Sequence, residues 1–288
     1  MHSVLRLANF SSRLCQFPSQ SPYSQEAYVV VLSASPNEGF VPPGAKDFLF
    51  PPIWGDSILF TKPVLLVFLS VVLISVFLLS ATRKMSVVPN RLQFAGEGIY
   101  GFVRNTLGQD VIGSEFLRFV PLLFTIFCFI LVNNIFGVIP LIQFPTMSHI
   151  GFPVAITLFS YVVYHYIGIK KHGVKKYFKD ICFMPGIPLP VYVILTPVEL
   201  MTYFITRPLT LSLRLFANMF AGHLLLLVFT LGGEYLLSSG ILMKVLSVFS
   251  FGMAVGLSFF ELGIQCLQAY IFTLLTALYI AGALADEH

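Results

Sequence analysis

Apolar residues in this 288-residue chain gather into blocks long enough to cross a bilayer, with short polar loops between them, from residue 58 almost to the end. A hydrocarbon core of roughly 30 Å takes about 20 helical residues to cross. Residues 58–80, 119–139 and 152–169 each fit one crossing. Two later blocks, 187–231 and 241–284, are too long for upright helices, since the second would reach about 66 Å at 1.5 Å per residue. They predict long, strongly tilted helices joined as a hairpin by GGEYLLSSG at residues 232–240, with Gly252, Gly256 and Gly263 as points of close packing or bending. The predicted fold class is all-α, a polytopic membrane protein with about five transmembrane helices.

Outside these blocks the pattern changes. Residues 91–115 mix Leu92, Phe94, Ile99 and Val103 with Glu97, Arg104 and Asp110, which predicts an interfacial amphipathic segment. Residues 1–50 are Ser- and Pro-rich without a spanning run, and predict an extramembrane N-terminal tail ahead of a helical membrane domain over 55–288. The first 25 residues hold Arg6 and Arg13 but no acid, a composition shared by mitochondrial presequences, and lack the apolar core and cleavage site of a secretory signal.

Composition sharpens this reading. Charged residues make up 10% of the chain against about 25% in soluble domains, too few to cover a water-soluble surface. The net charge of +4 does not point to nucleic acid, because the cations sit in loops beside apolar spans. Arg83, Lys84 and Arg91 follow the first span, and Lys170, Lys171, Lys175, Lys176 and Lys179 follow the third, whereas the 140–151 loop has no Lys or Arg. By the positive-inside rule the N-terminus is expected outside and the C-terminus inside. Cys15, Cys128, Cys182 and Cys266 show no paired spacing, so neither a disulfide framework nor a metal or cofactor site is expected.

The intramembrane ionisable residues carry the chemistry. Arg214 lies in LTLSLRLFANMFAGHLLLLVF, where a guanidinium cannot deprotonate and costs roughly 2.5–3.5 kcal/mol at the bilayer centre. Such a charge faces a protein partner or a hydrated cavity. Arg207, before Pro208 and nearer the inner end, fits a snorkelling side chain. Asn218, four residues beyond Arg214, shares its helix face; His223, nine beyond, falls on the opposite one. Glu261, Gln265 and Gln268 form a polar stripe at i, i+4 and i+7, which Ser258 extends by a turn. Glu199 is the only carboxylate between the Lys-rich loop and Arg214, and pairing with Lys or Arg207 is its structural alternative. Asn133 and Asn134 predict interhelical hydrogen bonds; His149 and His165 have no ligand spacing.

Over residues 55–288 the chain resembles subunit a of F-type ATP synthases. The resemblance rests on LSLRLFANMFAGH at 211–223, PLLFTIFCFILVNNIFGVIP in the second span, and CLQAYIFTLLTALYI near the end. It implies a stator subunit that carries protons to and from a c-ring, with peripheral-stalk subunit b as a further partner and no active site or cofactor of its own. Carried over residue by residue, Arg214 is the family's invariant arginine, Asn218 its helix-5 asparagine and Gln268 its last-helix glutamine. His223 and Glu261 occupy positions that hold Glu and His in some members. The implied entry path holds Asn218, His223, Glu261, Gln265 and Gln268, and the exit path Glu199, which stands one residue farther from the arginine than the commoner family spacing. The bacterial plasma membrane is the expected location, with the mitochondrial inner membrane as alternative. An ion-coupled secondary transporter is the rival class, but it predicts inverted repeats, and here the buried charges lie only in the C-terminal half.

Overall fold

The computed structural model of the chain describes residues 43–44, 62–83, 86–139, 146–182, 189–237 and 240–285. The N-terminal tail apart from Pro43 and Gly44, with Cys15, the start of the first span, Lys84, the 140–145 loop and the C-terminal Asp286, Glu287 and His288 lie outside them. The described residues from Lys62 onward are helical, with short loops and no strand.

Helix α1 (Lys62–Thr82) carries Pro63 in its first turn, where a missing N–H breaks no helical bond. It buries only a narrow stripe that includes Leu66 and Ser70, while Leu65, Phe68, Val76 and Leu79 face outward, as a lipid-facing helix requires. Helix α2 (Arg91–Phe102) runs on through a π-helical turn, Val103–Gln109, to Ile112. Its Val103 and Leu107 are fully buried while Arg91, Glu97 and Arg104 stay exposed, the amphipathic segment the sequence predicts. Helix α3 (Val120–Ile135) is shorter than the predicted 119–139 block. Beyond Ile135 the backbone closes turn bonds such as Gly137 N–H to Asn134 O at 3.0 Å, consistent with the approach to Pro140, since the residue before a proline disfavours helix.

Helix α4 (Gly151–His172) stops at Gly173, whose φ of +78° is a left-handed conformation that glycine adopts without strain. Helix α5 (Val174–Cys182) then leaves with exposed Lys175, Lys176 and Lys179 and a buried Tyr177. The Tyr177 ring lies directly on the Cα of Gly168 in α4, and its hydroxyl is 2.7 Å from His165 Nδ1. Burial, with neighbouring Tyr203 and Tyr161, pushes the Tyr177 hydroxyl up to about 12, so it remains neutral. A methyl on Gly168 would overlap that ring. Gly168→Ala is therefore expected to destabilise the inner end by about 1–3 kcal/mol, seen as a lower thermal midpoint; an unchanged midpoint would count against this packing.

The predicted 187–231 block is not one uniform helix. Helix α6 (Leu189–Met201) passes through a π-helical stretch, Thr202–Thr206, into helix α7 (Arg207–Leu237). The physical reason is Pro208, whose ring would meet the carbonyl four residues back in a regular helix. Widening to a π turn avoids that contact, and Arg207 N–H bonds to Thr202 O five residues earlier.

Helix α8 (Ile241–Leu284) is continuous over 44 residues and packs antiparallel on α7 as the predicted hairpin. The role expected for its glycines changes: no break occurs, and a Cβ on Gly252, Gly256 or Gly263 would touch nothing. Their faces are exposed, whereas the seam with α7 is lined by Ser247, Ser250, Ala254, Glu261, Gln265 and Gln268. Among the described residues four helical stretches are long and apolar enough to span a membrane: α1, α4, α6–α7 from Leu195, and α8; the shorter α3 is also apolar. The core lies where α3, α4, α7 and α8 meet, around Leu123, Ile130, Leu215, Met219, Phe272 and Ile280.

Candidate functional site

The α7–α8 seam is polar along a helix that is otherwise apolar. At one end Ser247 Oγ donates to Gly233 O at 2.6 Å and Ser250 Oγ to Phe229 O at 2.7 Å, two bonds that fix the register of the hairpin. Farther along, Ser258 turns its hydroxyl back to Ala254 O in its own helix. Glu261 follows, 4% exposed, with its carboxyl against the Cα of Gly222. Gln265 Nε2 donates to Glu261 Oε1 at 3.2 Å, and Asn218 Nδ2 donates across the seam to Gln268 Oε1 at 2.6 Å. Asn134 of α3 holds this part of α8 from behind by donating to Gln265 O at 3.2 Å.

Three atoms of this row remain without a hydrogen-bond partner among the described residues: Glu261 Oε2, Gln265 Oε1 and Gln268 Nε2. Buried polar atoms normally find a partner, and burying one without any costs about 1–3 kcal/mol. Three such atoms lie along one face of α8. His223, buried on α7 beside Gly222, lies within electrostatic reach of Lys62 at the start of α1.

Arg214 occupies a different environment. It and Asn218 are exposed on one face of α7, opposite the buried His223, as helical phase requires. Its guanidinium has no hydrogen-bond or acidic partner among the described residues. A charged side chain within a membrane span normally faces protein or a water-filled cavity rather than lipid.

The structure thus brings Asn218, Glu261, Gln265 and Gln268 together in the seam, buries His223 next along α7 from Gly222, and leaves Arg214 on an outer face. Glu199 stays half-buried on α6, away from that row and without an ion pair among the described residues. Arg207, expected to snorkel or to pair with Glu199, instead lies over the Tyr203 ring at 3.4 Å and near Tyr279 at 5.2 Å. Sequence reasoning missed Gly222, whose need for closeness exists only once α8 is in place. It also missed Ser70 and Thr146, which bond to Asn133 at 2.9 Å each and so tie α1 and the 146–148 turn to α3. A serine and a threonine in apolar segments gave no signal for that.

The fold is that of a polytopic helical membrane protein with a buried carboxyl–amide row and an exterior arginine that has no partner among the described residues. The chain belongs to the ATP synthase subunit a family: residues 64–281 match the family described as ATP synthase A chain. It is 48% identical to an ATP synthase subunit a of Nocardioides sp. over 270 residues, covering 90% of this chain and 98% of that one. The subunit a of Pseudarthrobacter chlorophenolicus is also 48% identical, over 264 residues covering 90% and 99%. That of Streptomyces lividans is 41% identical over 254 residues, covering 87% and 90%. These relatives are bacterial, and nothing among the comparisons points to the secondary-transporter alternative.

Proposed function

We propose that the chain is the proton-translocating stator subunit of a rotary ATP synthase in a bacterial plasma membrane, with its N-terminus outside and C-terminus inside. Two offset half-channels meet a c-ring on the exposed face of α7. Protons enter from outside past Glu261 and His223, helped by Asn218, Gln265 and Gln268, and reach a rotor carboxylate. After nearly a full turn that carboxylate meets Arg214, whose charge favours its ionised form, and the proton leaves inward past Glu199. Subunit b holds the chain against the rotor's drag.

The observation that carries this reading is the division of α7 into two faces. A fixed cation without a partner in the described chain stands on one, and a titratable row with orphaned polar atoms is buried behind the other. The test is passive conduction. The membrane sector, purified without its catalytic head and sealed into vesicles, is expected to take up protons when a potassium diffusion potential is applied. Uptake no faster than in protein-free vesicles overturns the proposal.

Gly222 supplies a finer check. A Cβ there would come within 3.2 Å of Glu261 Cδ and Oε1, so the carboxyl would have to move. Gly222→Val is expected to slow proton uptake by about tenfold, the equivalent of 1.4 kcal/mol, while subunit assembly is unchanged. Uptake at the parent rate would separate Gly222 from the path.

A further inference from the structure

The outward surface of α4 carries a feature that the Glu261 row does not use. Phe159, Val162, Tyr166 and Lys170 fall at i, i+3, i+7 and i+11, one helix face. The first three are 54%, 58% and 62% exposed, and Lys170 is exposed as well. The stripe is therefore open, apolar along its length and cationic at its end. Lys170 Nζ stands 5.9 Å from the centroid of the Tyr166 ring. An aromatic ring followed by a lysine suits the boundary between hydrocarbon and headgroups, where one is amphipathic and the other reaches toward water.

Helix α5 adds charge at the same end. Gly173 turns the chain, and Lys175, Lys176 and Lys179 of α5 are exposed. The opposite side of α5 is held to the body: Tyr177 lies on Gly168, and Phe178 stacks on Phe204 at 6.2 Å. The lysines are thus displayed by a fixed helix. Residues 170–182 hold five lysines against one acid, Asp180. Lys171 is engaged, its Nζ donating to Leu284 O at 2.6 Å. The other four form no ion pair among the described residues. Each lysine close to an anionic lipid surface favours that surface by on the order of fivefold. Membrane orientation alone accounts for lysines in a loop, but it requires neither the apolar stripe that leads to Lys170 nor the clamped helix. An acidic protein segment would match the charge and leave the stripe unused, whereas an anionic phospholipid matches both.

We propose that the α4–α5 corner binds an anionic phospholipid, with its acyl chains along Phe159, Val162 and Tyr166 and its headgroup at Lys170 and the α5 lysines. The site is independent of the proton path.

The test uses the whole ATP synthase, with a photo-crosslinking p-azidophenylalanine in place of Tyr166, in vesicles of equal parts phosphatidylglycerol and phosphatidylcholine. Mass spectrometry of the illuminated subunit reads which molecule has become attached. Phosphatidylglycerol adducts are expected to exceed phosphatidylcholine adducts by about tenfold, one decade. The preference is expected to vanish when Lys175→Gln, Lys176→Gln and Lys179→Gln are combined, and to shrink at high salt, which screens exposed charges. The three lysines are exposed, so their replacement leaves the packing intact, and an unchanged thermal midpoint checks this. Equal labelling by the two lipids in the parent overturns the inference, as does a preference that the triple variant retains. Adducts chiefly to another subunit overturn it too, and assign this face to a protein partner.

Discussion

Arg214→Ala is expected to abolish ATP-driven proton uptake in reconstituted vesicles while the subunit still assembles. The side chain is exposed, so its removal leaves no hole in the core around Leu215 and Met219. What disappears, on the proposed reading, is a charge facing the rotor. Against a carboxylate at 4 Å, with an effective dielectric constant of 20, the attraction is about 4 kcal/mol, close to three decades in an equilibrium. Without it a rotor carboxylate keeps its proton as it passes, and the inward release step stalls. Arg214→Lys tests the chemistry further: it restores a cation, but one that can lose its proton in an apolar setting and has no forked geometry. Partial recovery at most is expected, and full coupling in either variant would remove Arg214 from the centre of the mechanism.

Glu261→Gln should have the next largest effect. The amide has nearly the carboxyl's shape, fits against Gly222 and keeps an oxygen to accept from Gln265, so packing in the seam is retained. It cannot exchange a proton. Losing one acid–base group from a relay is expected to slow proton uptake by roughly 10²-fold, with normal amounts of assembled complex in the membrane. Glu261→Asp keeps the acid but withdraws it by one methylene from Gly222, and an intermediate rate is expected. Normal uptake in Glu261→Gln would sink the entry-path assignment and leave the stripe a structural one.

The membrane class and the helical blocks were legible because the bilayer imposes a length and a polarity that a chain cannot hide. The polar stripe on α8 was legible for a related reason: helical phase is fixed locally, so Glu261, Gln265 and Gln268 share a face whatever they meet. Asn133 and Asn134 were expected to bond between helices, and both do so. Less legible was anything that depends on two segments at once. Arg207 reads as a snorkelling charge near a helix end, yet two tyrosines far apart in sequence, Tyr203 and Tyr279, converge on it. The break in the 187–231 block follows from Pro208, but whether a proline kinks a helix, ends it or widens it to a π turn depends on what packs around it.

By itself, then, the sequence determined that this is an all-α membrane protein with a long C-terminal hairpin, and that an arginine and a carboxyl–amide row stand on definite helix faces. Spacing along a helix is a local property, set by 3.6 residues per turn and the thickness of the bilayer. Only the tertiary structure decided which of those faces turn inward. It turned Glu261 onto Gly222, Asn218 onto Gln268 and Gly252, Gly256 and Gly263 of α8 outward, and it left Arg214 on the surface without a partner among the described residues. Those outcomes depend on the register of α7 against α8 and on the grip of α3 and α4 behind them, set by side chains distant in sequence that meet only when the helices pack.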